Sequence, residues 1–221
     1  MNIAISRRES LLWMGGLLLA GCAADDAIRM PQVEGADAMA DLVDLAQFDP
    51  RLRFDIRYAT ANNFMHRVLY PVARALAQRP AAAALSRVQT RAEAAGYGLL
   101  IHDAYRPWRI TKMMWDETPV AQREFVADPR TGSRHNRGCA IDLTLHQGGQ
   151  AVPMPSPYDD FTPAAYRSYM GGTAEQNANR ARLEAWMVAE GFLPLANEWW
   201  HFDWHDWQHY PIMDVPLADV A

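Results

Sequence analysis

Three short segments of the 221-residue chain gather polar groups that packing alone does not demand. They are Ser133-Arg134-His135-Asn136-Arg137-Gly138-Cys139-Ala140-Ile141-Asp142, then Glu198-Trp199-Trp200-His201, and Asp103-Ala104-Tyr105-Arg106-Pro107. A catalytic zinc ion takes three protein ligands from His and Asp/Glu and leaves a fourth position to water. His135, Asp142 and His201 can supply that set. Taken singly, each of the seven histidines is more readily a surface or core residue, so only the combination points to a metal. Asp142 adds weight because it interrupts the apolar run Ile141, Leu143, Leu145. An unpartnered carboxylate is costly to bury there, and a dication or an arginine partner would offset that cost.

Glu198 lies three residues before His201. On a helix the two would share a face, but this stretch reads as a strand, where odd spacing sends them to opposite faces. A bend, bulge or strand start near Glu198 is needed to aim both at one metal. Given that bend, Glu198 is placed to act as general base on the attacking water and to return the proton to the leaving amine. Its plainer role is a surface residue capping an aromatic strand. Arg106 precedes Pro107 at the mouth of a helix, where a guanidinium could hold an oxyanion. Pairing with a nearby carboxylate such as Asp103 is the commoner use of such an arginine. Cys139 beside His135 makes a Cys-His protease conceivable, but a small buried filler accounts for it better.

The elements that must position these groups follow from periodicity. Phe54, Ile56 and Tyr58 alternate with polar residues as in a short strand. Pro80 to Ala95 carries Leu85, Val88 and Ala92 at helical spacing, with Gly96 as a stop signal. Tyr97 to Ile101 is an apolar run suited to a buried strand. Pro107 to Trp115 predicts a helix opening at its proline. Ala140 to Leu145 alternates again, with Asp142 and Thr144 on the polar face. Asn179 to Glu190 predicts a helix closed by Gly191, and Phe192 to Trp204 reads as an aromatic strand. Trp108, Trp115, Trp199 and Trp200 are expected in the core. Trp204, His205, Trp207 and His209 are expected in a surface aromatic tail. Mixed elements without regular alternation predict a single α+β domain, a small, mainly antiparallel sheet flanked by helices, with the zinc site at the sheet.

Composition narrows the class. With 21 basic and 26 acidic residues and no Lys/Arg cluster, a nucleic-acid partner is not expected. The N-terminus reads as an address: Arg7 and Arg8 lead into the apolar stretch Leu11 to Ala20, too short for a membrane span and suited to a signal-peptide core. Leu19-Ala20-Gly21-Cys22 resembles the lipobox of bacterial lipoproteins, which makes Cys22 the expected lipidation site. Ser6-Arg7-Arg8 with Leu11-Leu12 also resembles a twin-arginine export signal. Loss of Arg7, Arg8 and Glu9 with the leader would leave 19 basic and 25 acidic residues, so membrane attachment should rest on acyl chains rather than a basic patch. The expected organisation is a lipoprotein-type signal peptide over 1–21, a small polar linker over 22–40 and a catalytic domain over 41–221.

Together the three segments resemble the D-alanyl-D-alanine dipeptidases. The pattern Ser-x-His-x-x-Gly-x-Ala-x-Asp followed by Glu-x-Trp-His is specific, and both halves are present at 133–142 and 198–201. The likeness runs from Arg57-Tyr58-Ala59-Thr60 with Asn63-Phe64 through Asp103-Ala-Tyr-Arg-Pro to Trp199-Trp200, about residues 50 to 205. It implies one zinc ion per chain on His135, Asp142 and His201, Glu198 as general base and Arg106 as oxyanion stabiliser. It also implies that Tyr58, Ser133 and Asp159 hold the amino end of the substrate, which favours dipeptides. The stretch Met65 to Tyr70 departs from the family's glycine-containing loop and leaves the pocket wall open to revision. The implied reaction is hydrolysis of D-Ala-D-Ala in cell-wall peptide turnover or salvage. The lipoprotein-like leader points to an envelope protein facing the periplasm. A D,D-carboxypeptidase acting on stem peptides, or a non-catalytic wall-binding lipoprotein, would use the same fold. The presence of Glu198 argues against the latter.

Overall fold

The alternation at Ala140 to Leu145 is realised as the central strand of the domain, and the rest of the fold is arranged around it. The computed structural model describes residues 28–220. The leader and Cys22, on which the export and lipidation expectations rest, lie outside the described residues.

Residues 28–41 contain no helix or strand. The first elements are β1 (Leu42–Asp44), α1 (Leu45–Phe48) and β2 (Arg53–Phe54). Next come β3 (Leu76–Gln78), α2 (Arg79–Ala94), β4 (Gly98–Asp103) and α3 (Trp108–Glu117). The chain then forms β5 (Ala140–Gln147), β6 (Gln150–Ala151), α4 (Ala174–Ala189), β7 (Phe192–Pro194) and β8 (His201–Trp204). The main sheet has the order β2-β4-β5-β8-β7, with β6 paired to β5, while β1 and β3 form a separate antiparallel pair. Among the described residues only β2 and β4 run parallel, and every other pairing is antiparallel. The expected α+β domain with a mainly antiparallel sheet is what the chain builds.

Side chains of a strand alternate between faces. On β5, Ile141, Leu143 and Leu145 are fully buried among core residues that include Leu85 and Val88 of α2 and Leu183 and Met187 of α4. Each such side chain stabilises the fold by roughly 1.5–3 kcal/mol. The opposite face of β5 carries Asp142 and Thr144, also buried. The sheet is therefore covered on both sides, which makes an unpartnered carboxylate at Asp142 costly.

Several boundaries differ from the sequence expectation for identifiable reasons. Phe54 to Tyr58 is not one strand: β2 stops at Phe54 and Arg57–Ala59 form a 3-10 turn. The Tyr58 carbonyl accepts from both Leu69 and Tyr70 N–H at 2.8 Å, so the returning chain replaces a strand partner. Pro107 caps α3 rather than opening it, because its ψ of 140° is extended. Helix α4 starts at Ala174, ahead of the expected Asn179. Its signal was available: Thr173 and Gln176 form a capping box, each side chain bonded to the other's backbone N–H. Phe192 to Trp204 is a hairpin of two short strands, not one strand. Trp204 also departs from expectation: it is buried in β8 against Phe192, whereas His205 and His209 are exposed.

Candidate active site

Sheet register does much of the assembly. Asp142 on β5 lies directly opposite His201, the first residue of β8, and on its other side opposite Asp103 at the end of β4. Cross-strand neighbours of this kind have Cβ atoms only about 5 Å apart. A register shift between Ile101 and Asp103 turns the end of β4 toward the site. The β7–β8 hairpin supplies the bend that Glu198 requires: the strands end at Pro194 and resume at His201, with Glu198 in the turn between them.

His135 arrives from outside the sheet, on a 3-10 turn (His135–Arg137) closed by Gly138 at φ +68°. Asn136, wholly buried, fixes that turn. Its Oδ1 accepts from Ser133 N–H at 2.7 Å, while its Nδ2 donates to the Arg106 carbonyl at 2.9 Å and the Thr111 hydroxyl at 2.8 Å. Arg106 N–H donates in turn to the His135 carbonyl at 3.1 Å. The segments 103–107 and 133–142 are thus stitched into one unit.

The outer hydrogen bonds set the histidine tautomers. His135 Nδ1 lies 2.6 Å from the Ala104 carbonyl, which can only accept, so Nδ1 carries the proton and Nε2 presents a lone pair. His201 Nε2 lies 2.8 Å from Asp203 Oδ1, so a proton sits there, and the neutral ring presents its lone pair at Nδ1. Those two lone pairs face each other at 3.1 Å, and Asp142 Oδ1 lies 2.9 Å from His201 Nδ1 and 3.3 Å from His135 Nε2. These three buried ligand atoms lie within 4.8 Å of one another, close enough to hold one metal ion. Although burial opposes charging, Asp203 and Asp142 hold His201 well above the ordinary imidazole range, so the cluster attracts positive charge and a metal at Nδ1 would take the place of a proton. Two imidazoles and one carboxylate with outer-sphere acceptors form a donor set that zinc favours.

Around this cluster lies a cavity of about 220 Å³. Glu198, Arg106, Tyr58, Ser133 and Asp159 line it together with His135, Asp142 and His201. Glu198 Oε2 stands 3.8 Å from His201 Nδ1, and burial, opposed by His201 and assisted by Asp142, raises its carboxyl to about 7. Arg106 pairs with Asp103 and also lines the cavity. Its Nε and Nη2 donate to Asp103 Oδ2 at 3.0 and 2.7 Å, and the same buried guanidinium lies over the Tyr58 ring and on the cavity wall. Tyr58 donates to Asp159 Oδ1 at 3.0 Å, and Asp159 Oδ2 is buried without a partner. Burial and the nearby Asp142 raise Asp159 to about 8, and its backbone sits at φ +61°. Ser133 Oγ accepts from His135 N–H at 3.2 Å, which supports the turn from the cavity wall. Part of the cavity wall is aromatic, with Phe161 packed on Phe64 at 4.7 Å and on Phe125 at 4.9 Å, whereas no residue of the stretch Met65 to Tyr70 lines the cavity.

Three contributors were not singled out in the sequence. Asp203 orients His201, and its signal was present, since residues i and i+2 of a strand share a face. Tyr158 donates to Asp142 Oδ2 at 3.0 Å and packs on His102 and Trp200. Tyr70 donates to Asp103 Oδ1 at 2.8 Å. No local spacing signals the two tyrosines, because both arrive from irregular segments. Cys139 is fully buried, and burial pushes its thiol up, as a packing residue requires.

Comparison with known proteins places this geometry. Residues 38–218 match the peptidase M15 family, described as D-ala-D-ala dipeptidase. A D-alanyl-D-alanine dipeptidase of Escherichia coli (strain K12) is 35% identical over 174 residues, 78% of this chain and 89% of that protein. One from Enterococcus faecium is 33% identical over 191 residues, 75% of this chain and 93% of that protein. Among solved structures, a variant of the vancomycin-resistance D,D-pentapeptidase VanY in complex with Zn(II) is a remote likeness, with a TM-score of 0.40 and 17% identity over 63% of this chain and 78% of that one. The match across nearly all of the described residues, with both halves of its motif converging on one cavity, makes this chain a member of the D-Ala-D-Ala dipeptidase family.

Proposed function

We propose that this protein is a zinc-dependent D-Ala-D-Ala dipeptidase holding one zinc ion on His135, Asp142 and His201. The observation that carries the reading is the convergence of two imidazole nitrogens and a carboxylate oxygen within 4.8 Å of one another beside the Glu198 carboxyl. Bound zinc would supply Lewis acidity for attack of water on a peptide carbonyl. Glu198, with its carboxyl near 7, can take the water proton at neutral pH and return it to the leaving amine. The Arg106 guanidinium, held rigid by Asp103, meets the negative charge that develops on the carbonyl oxygen. Asp159, with one oxygen unpartnered, and Tyr58 receive the substrate ammonium. The cavity of about 220 Å³ lies below the 300–1,000 Å³ range common for drug-sized ligands, which suits a dipeptide.

The substrate panel that tests this pairs D-Ala-D-Ala with a pentapeptide stem ending in D-Ala-D-Ala, alongside elemental analysis for zinc. Turnover of the free dipeptide with one zinc per chain is expected. Preference for the stem would make the enzyme a D,D-carboxypeptidase instead. The leader and the lipobox-like Cys22 support a lipid-anchored protein of the cell envelope that acts on periplasmic wall peptide. Recovery in the cytosolic fraction, or failure of Cys22→Ala to release it from membranes, would sink that part of the proposal.

A further inference from the structure

A dipeptide carries a carboxylate as well as an ammonium, and the cavity that receives it is lined by Glu124, Asp142, Asp159, Glu198 and Asp203. An incoming anion needs a cation with uncommitted donors. Arg106 spends two of its donor nitrogens on Asp103 and faces the reacting carbonyl. The other guanidinium on the wall belongs to Arg134, and no hydrogen bond to it is formed among the described residues. Its Nε is buried without a partner and its nearest carboxylate oxygen, on Asp203, is 3.6 Å away.

Arg134 is nevertheless held in place. Its guanidinium carbon lies over the Trp207 ring at 4.4 Å, a cation–π contact that holds the head group without using its N–H donors. Arg137 approaches the same ring at 5.0 Å, but its Nη1 is committed to the Tyr210 carbonyl at 2.5 Å. Sheet order then sets polarity across the site. Tyr58, with Asp159, follows the edge strand β2, whereas Asp203, beside Arg134, lies on β8. Asp142 on β5 stands between them, so a dipeptide with its ammonium on Asp159 and its scissile carbonyl at the ligand cluster extends its carboxylate toward Arg134.

We propose that Arg134 binds the free carboxylate of the substrate's C-terminal residue and so makes the enzyme selective for peptides that end at that residue. The proposal rests on the peptidase reading above. A guanidinium edge presents paired donors that match a carboxylate, and charge-assisted bonds of this kind are worth a factor of roughly 10–100 in affinity.

The test compares D-Ala-D-Ala with its C-terminal amide, which keeps the scissile bond and lacks the charge. Wild-type enzyme is expected to favour the acid in kcat/KM by roughly 10–100-fold. Arg134→Gln should collapse that ratio through a higher KM for the acid, with kcat for either substrate changed only a few-fold, and Arg134→Lys should restore part of it. Calorimetric binding of both ligands to Glu198→Gln, with and without Arg134→Gln, reads the same preference without turnover. Thermal unfolding and zinc content certify that the variants fold. An acid-to-amide ratio unchanged in Arg134→Gln, or absent in the wild type, overturns the assignment. If only stem peptides are cleaved, the dipeptidase reading fails separately, and the same ratio measured on the stem acid and stem amide still decides Arg134.

Discussion

Replacing Asp203 with asparagine removes a charge but little bulk, and it isolates what the outer carboxylate contributes to the metal site. Asp203 Oδ1 accepts from His201 Nε2–H at 2.8 Å, and its side chain is 11% exposed, so little water screens the interaction. The carboxylate fixes the tautomer that frees Nδ1 and adds electron density to the imidazole. Outer-sphere partners of this type are worth 10–100-fold in metal affinity, or about 1.4–2.7 kcal/mol. Asp203→Asn can still accept from Nε2–H through its amide oxygen and should weaken zinc binding by roughly 10-fold. Asp203→Ala leaves the ring unheld and should approach roughly 100-fold. The assay is competition between metal-free protein and a chromogenic chelator, with kcat measured again at saturating zinc. Activity lost at limiting zinc should then largely return. Zinc affinity within two-fold of wild type in both folded variants would refute the orienting role of Asp203.

Glu198→Gln should lower kcat by roughly 10²–10⁴-fold while zinc content stays unchanged, and preserved turnover would remove Glu198 from the mechanism. Gly138→Ala should destabilise the fold by about 1–3 kcal/mol in denaturant unfolding, because φ is +68° and the new Cβ would lie 2.4 Å from Leu42 Cδ2. A variant as stable as wild type would show that the turn can relax. His102 is held down to about 4, by burial first and by Arg57 second, against 6.5 for a free imidazole. The folded state prefers it neutral, so its contribution is complete above pH 6.5 and is lost as pH falls toward 4, by about 3 kcal/mol in all. Replacing His102 with glutamine should flatten the stability profile across that window, and identical slopes would contradict the burial argument.

Local chemistry made the ligand set legible. His135, Asp142, Glu198 and His201 stand in short segments whose spacing is explained by few other uses, and an aspartate amid Ile141, Leu143 and Leu145 demands a partner. The principal helices and the central strand were legible for a related reason: periodic burial leaves a periodic sequence. Thr173 and Asp203 carried signals as well, a capping box and an i, i+2 pair, although neither stands out until its neighbours are in place.

Other features depended on contacts between distant parts of the chain, which local spacing does not encode. Whether Glu198 faced His201 and Asp142 hung on a hairpin turn that aromatic residues throughout 192–204 conceal. Arg106 proved to be both ion-pair partner and wall of the cavity, because Asp103 and Asp142 become neighbours only through strand register. Tyr158 and Tyr70 reach the site from irregular segments, and Trp204 moves from an expected surface tail into the core. Residue types therefore determined which chemistry was available, since charge and donor atoms are properties of single side chains. Tertiary structure decided which of those side chains meet, at what distance and in which protonation state, because proximity and desolvation belong to the folded chain.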